Sequence, residues 1–546
     1  HKGIRILKLG MIFPIQEDIL KQFATGLEEI LIIEEKRSFV ETFCKEILYG
    51  MTDAPRIVGK RDETGRILVK ADSELDADDI VKILARRFEE RIDVPGLDRR
   101  LKEISMLPDL GTIPLLSRQP YFCSGCPHNR STLVPEGSIA GAGIGCHTMV
   151  LLMDRHTSGV TQMGGEGANW VGGSFFSNTP HIFQNIGDGT LAHSGSLAIR
   201  QATAVGTNIT YKILYNSAVA MTGGQPADGA MPVPELTHLL HAEGVKKTIV
   251  VSSDPSRFPQ QTRWADNVQV WDRDRLEEAQ LVLRDTPGVT VLIYDQECAA
   301  NLRRKRKRGH AADPSLRIFI NEAVCEGCGD CGVKSNCLSV QPVETEFGRK
   351  TQIHQSSCNK DYTCLEGNCP AFITVIPDDN QPTKQHKTYT VDRDIPEPIR
   401  RINGNTNVLL MGIGGTGVVT SNQVIGTAAV LDGYHIRALD QTGLSQKGGP
   451  VVSNLKISQH PVEISNKVAN GTTDAYLVFD VLTATAPKNL VRANPNRSVA
   501  IVSTSKVPTG SMVRDTTVEF PEKDRLLEII NRQTTAGDNI YFDAIG

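Results

Sequence analysis

The sequence has no apolar run approaching the roughly 18 residues that a membrane-spanning helix requires. It has no charged and then apolar leader, so we expect no signal peptide and a cytoplasmic location. Its formal net charge of -4 is too small to indicate a nucleic-acid partner or a membrane surface. Internal repeats and low-complexity tracts are also absent. What remains is a globular chain of 546 residues, long enough for about three or four domains.

Cysteine is the residue type that the chain has in plenty: there are 12, and seven fall between residues 325 and 369. Cys325, Cys328 and Cys331 are spaced C-x2-C-x2-C, and Cys369 is followed by proline. Such a turn presents three thiolates to one iron–sulfur cluster, and a remote Cys-Pro supplies the fourth. The other three cysteines of the group lack a fourth thiolate, so a second cluster there uses another ligand, is a three-iron cluster, or is missing. They are Cys337, Cys358 and Cys364.

Apolar strands alternate with amphipathic helices in two parts of the chain, which predicts an α/β protein with parallel sheets covered on both faces. Near the start we expect strands at 4–9 and 30–33 and helices at about 17–29 and 39–48. A polar connecting segment follows, with one helix at about 76–91. A second α/β region should have strands at 182–186, 211–215, 247–251 and 289–294. The basic run 303–308 closes that region, and we interpret it as a solvated hinge.

A Gly-Asp-Gly sequence directly follows one apolar strand, and Asn216 follows the next. Parallel sheets bind ligands at these strand ends. Asp188, Asn216 and a backbone carbonyl near Ala218 would supply oxygen ligands to the Mg²⁺ that holds a diphosphate. Gly-Asp-Gly alone is a common turn, but with asparagine at this distance it predicts a thiamine diphosphate site. The predicted cofactor-binding residues are Gly187, Asp188, Gly189, Thr190, Asn216, Ala218, Gly223 and Gly224.

Four further cysteines lie in the region that carries this thiamine pattern. Cys123 and Cys126 form a C-x2-C pair, while Cys146 and Cys298 stand apart from them. A lone C-x2-C is also typical of a redox pair or half of a zinc site. Four cysteines beside thiamine machinery favour a proximal cluster close to the cofactor, with Cys298 as its least specific member. Cys44 has no partner, and we interpret it as a core residue.

In sequence the chain resembles the thiamine-dependent 2-oxoacid:ferredoxin oxidoreductases, and within them the large fused bacterial indolepyruvate ferredoxin oxidoreductases. The resemblance covers nearly the whole chain. It rests on the motifs at 122–129, 143–147, 163–170, 187–190, 193–195, 216 and 221–225, together with the cysteine insert.

The resemblance implies a division into domains. Residues 1–60 would end a transketolase C-terminal-like domain, and 61–114 would be a connecting segment. Residues 115–310 would bind thiamine diphosphate, and 315–380 would form a small ferredoxin-like iron–sulfur insert. Residues 400–546 would begin a C-terminal Rossmann-like gamma domain. A pyrimidine-binding domain would have to be supplied in cis or in trans, so this chain alone should be inactive.

The resemblance also implies an activity. It is the coenzyme A-dependent oxidative decarboxylation of a 2-oxoacid such as indolepyruvate, with [4Fe–4S] clusters passing electrons to ferredoxin in a homodimeric enzyme. His193 and His147 would line the substrate side as proton donors, although a histidine taken from sequence is more often structural. Two alternatives stay open: a non-oxidative thiamine-dependent decarboxylase or lyase, and a pure iron–sulfur electron-transfer module.

The last region carries a G-x-G-x-x-G pattern at 412–417 after a strand, and Asp440 ends the next strand. This satisfies the fingerprint of a dinucleotide site. In the resembled family the glycines serve strand-to-helix packing, and we favour that interpretation over a nucleotide or coenzyme A contact.

Overall fold

The computed structural model describes residues 3–89, 91–108, 110, 116–367, 369–378, 404–442, 448–461 and 464–545. They form an α/β protein with one seven-stranded sheet, one six-stranded sheet and three two-stranded sheets. No helix in these ranges is long and apolar enough to cross a membrane.

The first region is a small α/β layer. Its elements are α1 (Glu17–Ala24), β1 (Glu29–Leu31), α2 (Val40–Leu48), β2 (Arg56–Val58), α3 (Ala77–Phe88) and α4 (Leu97–Ser105). β1 and β2 pair in parallel, and the buried Cys44 packs in the core between them and the helices, as predicted. The predicted strand over 4–9 is wrong, because this segment pairs with no described strand and Ile6 is 90% exposed. Alternating apolar residues form a strand only where a neighbouring strand takes up their backbone hydrogen bonds.

The central region is built on the seven-stranded sheet, in which every strand is parallel to its neighbours. Its order is β4-β3-β5-β6-β9-β7-β8. The strands are β3 (Ala140–Gly141), β4 (Thr157–Ser158), β5 (Ile182–Gly187), β6 (Ile209–Tyr215), β7 (Lys247–Ser252), β8 (Val268–Asp272) and β9 (Val289–Asp295). The helices are α5 (His128–Ser131), α6 (Ala168–Gly173), α7 (Asp188–Thr190), α8 (Ser196–Val205), α9 (Val233–Ala242), α10 (Leu276–Arg284) and α11 (Ala299–Lys307).

The four long strands predicted in this region are confirmed as β5, β6, β7 and β9. Nearly every residue of these strands is buried, which is the mark of a sheet covered on both faces. Two apolar cores lie on its opposite sides, one containing Ile213 and the other Leu214. The basic run at 303–308 is mostly helix α11 and not a hinge.

The cysteine-rich insert consists of two small antiparallel sheets and a short helix. Its elements are β10 (Arg317–Ile320), α12 (Asp330–Ser335), β11 (Val340–Thr345), β12 (Gly348–Ile353) and β13 (Phe372–Val375). β10 pairs with β13, and β11 forms a hairpin with β12. A specifically ferredoxin-like arrangement is not confirmed.

The last region is a mixed sheet with the order β15-β16-β14-β17-β18-β19. Its strands are β14 (Asn405–Ile413), β15 (His435–Gln441), β16 (Pro450–Ser458), β17 (Ala475–Val478), β18 (Val499–Ser503) and β19 (Ile540–Phe542). Its helices are α13 (Val418–Leu431), α14 (Val481–Ala484), α15 (Pro487–Leu490), α16 (Gly510–Arg514) and α17 (Lys523–Asn531). Arg118 joins this region through a buried ion pair with Asp480.

The Rossmann-like topology expected here is not confirmed. The antiparallel strand β16 separates β14 from β15, whereas a dinucleotide fold places the two parallel strands side by side. Asp440 accepts hydrogen bonds from Asn422 and Ser453. A Cβ on Gly412 would lie 2.6 Å from Val418 Cγ2, so this glycine is needed for close packing of strand on helix. The geometry agrees with the packing interpretation of the glycine pattern.

Candidate functional site

The carboxyl ends of two neighbouring strands of the central sheet bring together the two residues that the sequence predicted as magnesium ligands. Asp188 follows β5 and Asn216 follows the neighbouring strand β6. Asp188 Oδ2 accepts hydrogen bonds from the backbone N–H groups of Asn216, at 3.1 Å, and Ser217, at 2.9 Å. Its Oδ1 accepts from the N–H of Gly189 at 2.8 Å. The carboxylate is therefore held in one orientation at the strand ends.

The Asp188 carboxylate suits a bound cation. Burial raises its pKa, and the backbone N–H groups of Asn216 and Gly189 act in the opposite direction. Among the described residues no lysine or arginine forms an ion pair with it. A buried carboxylate without a cationic partner is energetically unfavourable, and a divalent ion would offset that penalty. The residues present therefore fit Mg²⁺ and a diphosphate.

The other predicted cofactor residues surround this edge. Asn216 Oδ1 accepts a hydrogen bond from the N–H of Ala218 at 3.1 Å. Gly187 is the last residue of β5, and Gly189 and Thr190 belong to the short helix α7. Gly223 and Gly224 both have positive φ values, +127° and +84°, which only glycine adopts readily. They lie in the loop after Asn216, as the sequence predicted.

Four cysteines from three separate parts of the sequence line one cavity of about 340 Å³. They are Cys123, Cys126, Cys146 and Cys298. Burial raises the pKa of the Cys126 thiol well above its usual value, and the charges of the other three thiols raise it further. A buried thiol of this kind gives up its proton most readily when a metal takes the proton's place. The set fits the predicted proximal cluster.

The same cavity also borders the predicted thiamine diphosphate site. Asn216 and Gly223 line it together with the cysteines. The backbone N–H of Cys298 donates to the carbonyl of Asn216 at 3.2 Å. Asn216 therefore contacts the Asp188 carboxylate through its N–H and Cys298 of the cavity wall through its carbonyl.

Three basic side chains complete the cavity wall, and the sequence interpretation missed them. They are Arg303, Arg304 and Lys307 of α11. The guanidinium of Arg304 lies against Gly224, where a Cβ would come within 2.3 Å of Nη2. Their spacing of three and four residues, in a helix that starts directly after Cys298, was the available signal. Counting the charges of the run as one block does not show that three of them share a helical face.

The two predicted catalytic histidines differ in environment. His147 is buried, and burial lowers its pKa to about 4, so its ring is neutral at pH 7. Its Nε2 has no hydrogen-bond partner among the described residues, and its Cε1 lies near Gly187. His193 is exposed in a π-helical turn, Leu191–Gly195, and its Nδ1 contacts Ser194 Oγ at 2.7 Å. Single π-helical turns are frequent at functional sites.

The charges of the insert cysteines act on one another mainly within the two groups expected from their spacing. Burial raises the pKa of Cys331 to about 11, and the charges of Cys325, Cys328 and Cys369 act on it as close neighbours. Burial likewise raises the pKa of Cys364 to about 12, with Cys337 and Cys358 as the nearest charges.

In the described part of the chain, no three His, Cys, Asp or Glu side chains converge closely enough to hold a single metal ion. The two groupings are compatible with that finding. In a four-iron cluster each thiolate binds a different iron, so the sulfurs stand further apart than the ligands of one ion.

The insert docks directly on the C-x2-C loop of the central region. The sulfur of Cys337 accepts a hydrogen bond from the N–H of Gly125. Asn359 Nδ2 donates to the carbonyl of Ser124 at 2.6 Å. Arg273 binds Asp361 through an ion pair of 2.5 Å. The group of Cys337, Cys358 and Cys364 therefore lies next to the cavity cysteines.

Two protein families match parts of the chain. Residues 1–107 match the family described as indolepyruvate oxidoreductase domain. Residues 407–532 match the family described as pyruvate ferredoxin/flavodoxin oxidoreductase.

Curated relatives are named as subunits of indolepyruvate oxidoreductase. Indolepyruvate oxidoreductase subunit IorA of Pyrococcus abyssi is 27% identical over 370 residues, covering 62% of this chain and 52% of the relative. The same subunit of Thermococcus kodakarensis is 28% identical over 371 residues, with 62% and 52% covered. Subunit IorB of Methanothermobacter thermautotrophicus is 26% identical over 132 residues, with 24% and 62% covered. The chain spans about half the length of the IorA relatives.

Solved structures are more distant. A 2-oxoglutarate:ferredoxin oxidoreductase from Magnetococcus marinus is 16% identical, with 34% of this chain and 66% of that chain covered and a TM-score of 0.26. A putative thiamin diphosphate-dependent enzyme from Mycobacterium smegmatis is 15% identical, with 51% and 50% covered and a TM-score of 0.25. TM-scores this low support no conclusion about this chain.

Proposed function

We propose that this chain, a relative of the indolepyruvate oxidoreductases within the 2-oxoacid:ferredoxin oxidoreductase family, takes part in the oxidative decarboxylation of a 2-oxoacid. The substrate would be an aryl pyruvate such as indolepyruvate, the acyl acceptor coenzyme A and the electron acceptor ferredoxin. Thiamine diphosphate, Mg²⁺ and [4Fe–4S] clusters would be its cofactors. A pyrimidine-binding domain, in cis or in trans, and a second copy of the chain would complete the enzyme.

The observation that carries the proposal is the position of Asn216 between two sites. On one side its N–H donates to the carboxylate of Asp188, which the sequence predicts as a magnesium ligand. On the other it lines the cavity of the four cysteines and accepts from the N–H of Cys298. A carbanion-forming cofactor and a one-electron acceptor would then be neighbours, as oxidative decarboxylation requires.

The cofactors supply the chemistry: thiamine takes up the electron pair released with CO2, and clusters accept electrons one at a time. The chain's residues hold and orient them. Asp188 and Asn216 would bind Mg²⁺ through oxygen, and the glycines at 187, 189, 223 and 224 would let phosphates approach the backbone. His147, neutral and buried, would present Nε2 as a hydrogen-bond partner, and the exposed His193 would exchange protons with substrate.

The docked insert supports an electron route out of the cavity. The group of Cys337, Cys358 and Cys364 lies beside the C-x2-C loop through the contact of Gly125 with Cys337. The charge of Cys331, a member of the other insert group, also acts on Cys364. Electrons would pass from the proximal cluster to this middle group, then to the cluster on Cys325, Cys328, Cys331 and Cys369, and finally to ferredoxin.

The proposal is tested by Mg²⁺-dependent binding of thiamine diphosphate, followed by isothermal calorimetry. Changes to residues that only support a metal ligand typically lower affinity roughly 10- to 100-fold. The Asp188→Ala variant loses a predicted ligand itself, so its affinity should fall further. Asp285→Ala is the matched control, because Asp285 is exposed in the same region and its partner Arg284 is adjacent in sequence. Binding that survives chelation of Mg²⁺, or that is equal in Asp188→Ala and the control, would contradict the proposal.

The alternatives are separated by a second measurement on the same protein. Iron–sulfur clusters give a broad visible absorbance that bleaches on reduction. Thiamine diphosphate binding without that absorbance would favour a non-oxidative decarboxylase or lyase. The absorbance without thiamine binding would favour a pure electron-transfer module.

A further inference from the structure

The middle cysteine group of the insert has three thiolates, and a four-iron cluster needs a fourth ligand. An inference about this fourth ligand rests on the proposed function, because it assumes that the insert holds clusters. The sequence offers a candidate by register. Cys358-x2-Asp361-x2-Cys364 repeats the spacing of Cys325-x2-Cys328-x2-Cys331, with an aspartate where the other loop has its central cysteine.

The backbone of the two loops has the same conformation at the same positions. In the first loop the sulfur of Cys325 accepts a hydrogen bond from the N–H two residues later at 3.4 Å, and in the second loop Cys358 does the same at 3.4 Å. That second residue has a positive φ in both, +70° at Gly327 and +55° at Lys360. So does the residue two positions further on, with +80° at Gly329 and +67° at Tyr362.

This conformation is unfavourable for the residues in the second loop. Glycine adopts positive φ freely, but lysine and tyrosine lose about 1–3 kcal/mol each in sparsely populated backbone regions. Lys360 and Tyr362 stay there because other interactions fix the loop. The chain therefore keeps a cluster-binding turn around Asp361 even without the glycines that make such a turn easy in the first loop.

Asp361 also lies near two of the three thiols, those of Cys337 and Cys364. Burial raises the pKa of the Cys337 thiol, and the charges of Cys358 and Asp361 raise it further. The charge of Asp361 acts on Cys364 in the same way. Its side chain is only 12% exposed. Position in the sequence, loop conformation and proximity to the thiolates thus agree.

The two oxygens of Asp361 have different surroundings. Oδ1 accepts from Arg273 Nη1 at 2.5 Å and from Gln296 Nε2 at 2.8 Å. Oδ2 accepts one hydrogen bond, from the hydroxyl of the buried Thr363 in the same loop, and an ionised carboxylate oxygen has a second lone pair. A ligating carboxylate is usually held by hydrogen bonds to its other oxygen. Arg273 and Gln296 provide that support on Oδ1 and leave Oδ2 for the metal.

We propose that Asp361 is the fourth ligand of a four-iron cluster on Cys337, Cys358 and Cys364, binding one iron through Oδ2. A carboxylate is a harder ligand than a thiolate and suits the soft cluster less well. The iron on Asp361 is therefore the one most easily lost. On oxidation the [4Fe–4S]²⁺ cluster gives one electron to ferricyanide and releases that iron as Fe²⁺, which leaves [3Fe–4S]⁺.

The test compares the anaerobically purified protein with its Asp361→Cys and Asp361→Ala variants. Each is treated with limiting ferricyanide in the presence of an Fe²⁺ chelator, and three-iron clusters are quantified by EPR. The unaltered protein should release about one iron per chain with a matching three-iron signal, whereas Asp361→Cys should retain it on an all-thiolate cluster. Asp361→Ala should show the three-iron signal as purified.

Asn359→Ala is the control for a purely structural role of this loop. It removes the other docking contact of the insert, to the carbonyl of Ser124, but leaves Asp361 with its hydrogen-bond partners Arg273 and Gln296, so it should keep the four-iron cluster as purified. If it shows the three-iron signal of Asp361→Ala, loss of docking explains that signal and the assignment is overturned. Equal iron release in the unaltered protein and Asp361→Cys also overturns it. Absence of any cluster absorbance in the purified protein would instead contradict the proposed function, and this inference would fail with it.

Discussion

Lys212 is the buried charge whose removal should stabilise the central region. It lies in β6, where its side chain has no exposed surface. Its Nζ donates to the carbonyl of Leu133 at 2.7 Å and lies 5.7 Å from the ring centre of Phe183. Burial, followed by the charge of Arg155, lowers its pKa from 10.5 to about 7. Replacement with methionine keeps most of its volume and removes the charge.

The sign and size of the effect follow from the pKa difference. Above pH 10.5 the amine is neutral in the folded and unfolded chain, and below pH 7 it is charged in both. Between these values the unfolded chain binds more protons, so the free energy of unfolding rises with pH. At about 1.4 kcal/mol per pH unit the penalty at neutral pH is at most about 5 kcal/mol. The Leu133 carbonyl left without a donor offsets about 1–3 kcal/mol of the gain.

Calorimetric unfolding of both proteins between pH 7 and 10 measures the difference. Lys212→Met should unfold at a higher temperature at pH 7, by roughly 2–4 °C for each kcal/mol in a domain of this size. The advantage should shrink as the pH rises, because only the unaltered protein gains stability. A difference that is independent of pH, or a variant less stable at pH 7, would refute the assignment of Lys212 as a destabilising buried amine.

Two further predictions concern the ion pair and the cavity. Arg118→Ala should lower the free energy of unfolding of the last region by about 3–5 kcal/mol. It leaves the fully buried Asp480 carboxylate without the two 2.9 Å hydrogen bonds from arginine. Calorimetry should show a lower unfolding temperature. Arg118→Lys should recover little, since an ammonium cannot make the paired contact. Cys298→Ser should lower the iron content by about one four-iron cluster. The control Cys44→Ser, in the core of the first region, should not change the iron content. Equal iron in both variants would show that Cys298 is not a cluster ligand.

The sequence predicted the central sheet well because its strands are long and apolar on both faces. That pattern has few alternatives, and it places Asp188 and Asn216 at adjacent strand ends. The cysteine groups were also predictable, since C-x2-C-x2-C is a local turn. The convergence of Cys146 and Cys298 on the C-x2-C pair depends on the sheet topology, and spacing alone gave only a hypothesis.

The misses have physical causes. The alternation at 4–9 looks like a strand, but strand formation depends on a partner that local sequence does not reveal. The basic run at 303–308 looked solvated because charge counts ignore helical faces, and three of its side chains line the cysteine cavity. The order of β14, β16 and β15 could not be predicted either. The antiparallel strand β16 comes from later in the chain and lies between the other two, and the sequence of the glycine-rich turn after β14 does not depend on that neighbour.

The central claim is that a thiamine site and a cluster site adjoin at Asn216, and the most direct test is a count of cofactors per chain. The protein is purified anaerobically, supplied with Mg²⁺ and thiamine diphosphate, and analysed for iron, sulfide and thiamine. We expect about 12 irons with matching sulfide, for three four-iron clusters, and one thiamine diphosphate per chain. Thiamine without iron, or iron without thiamine, would contradict the claim.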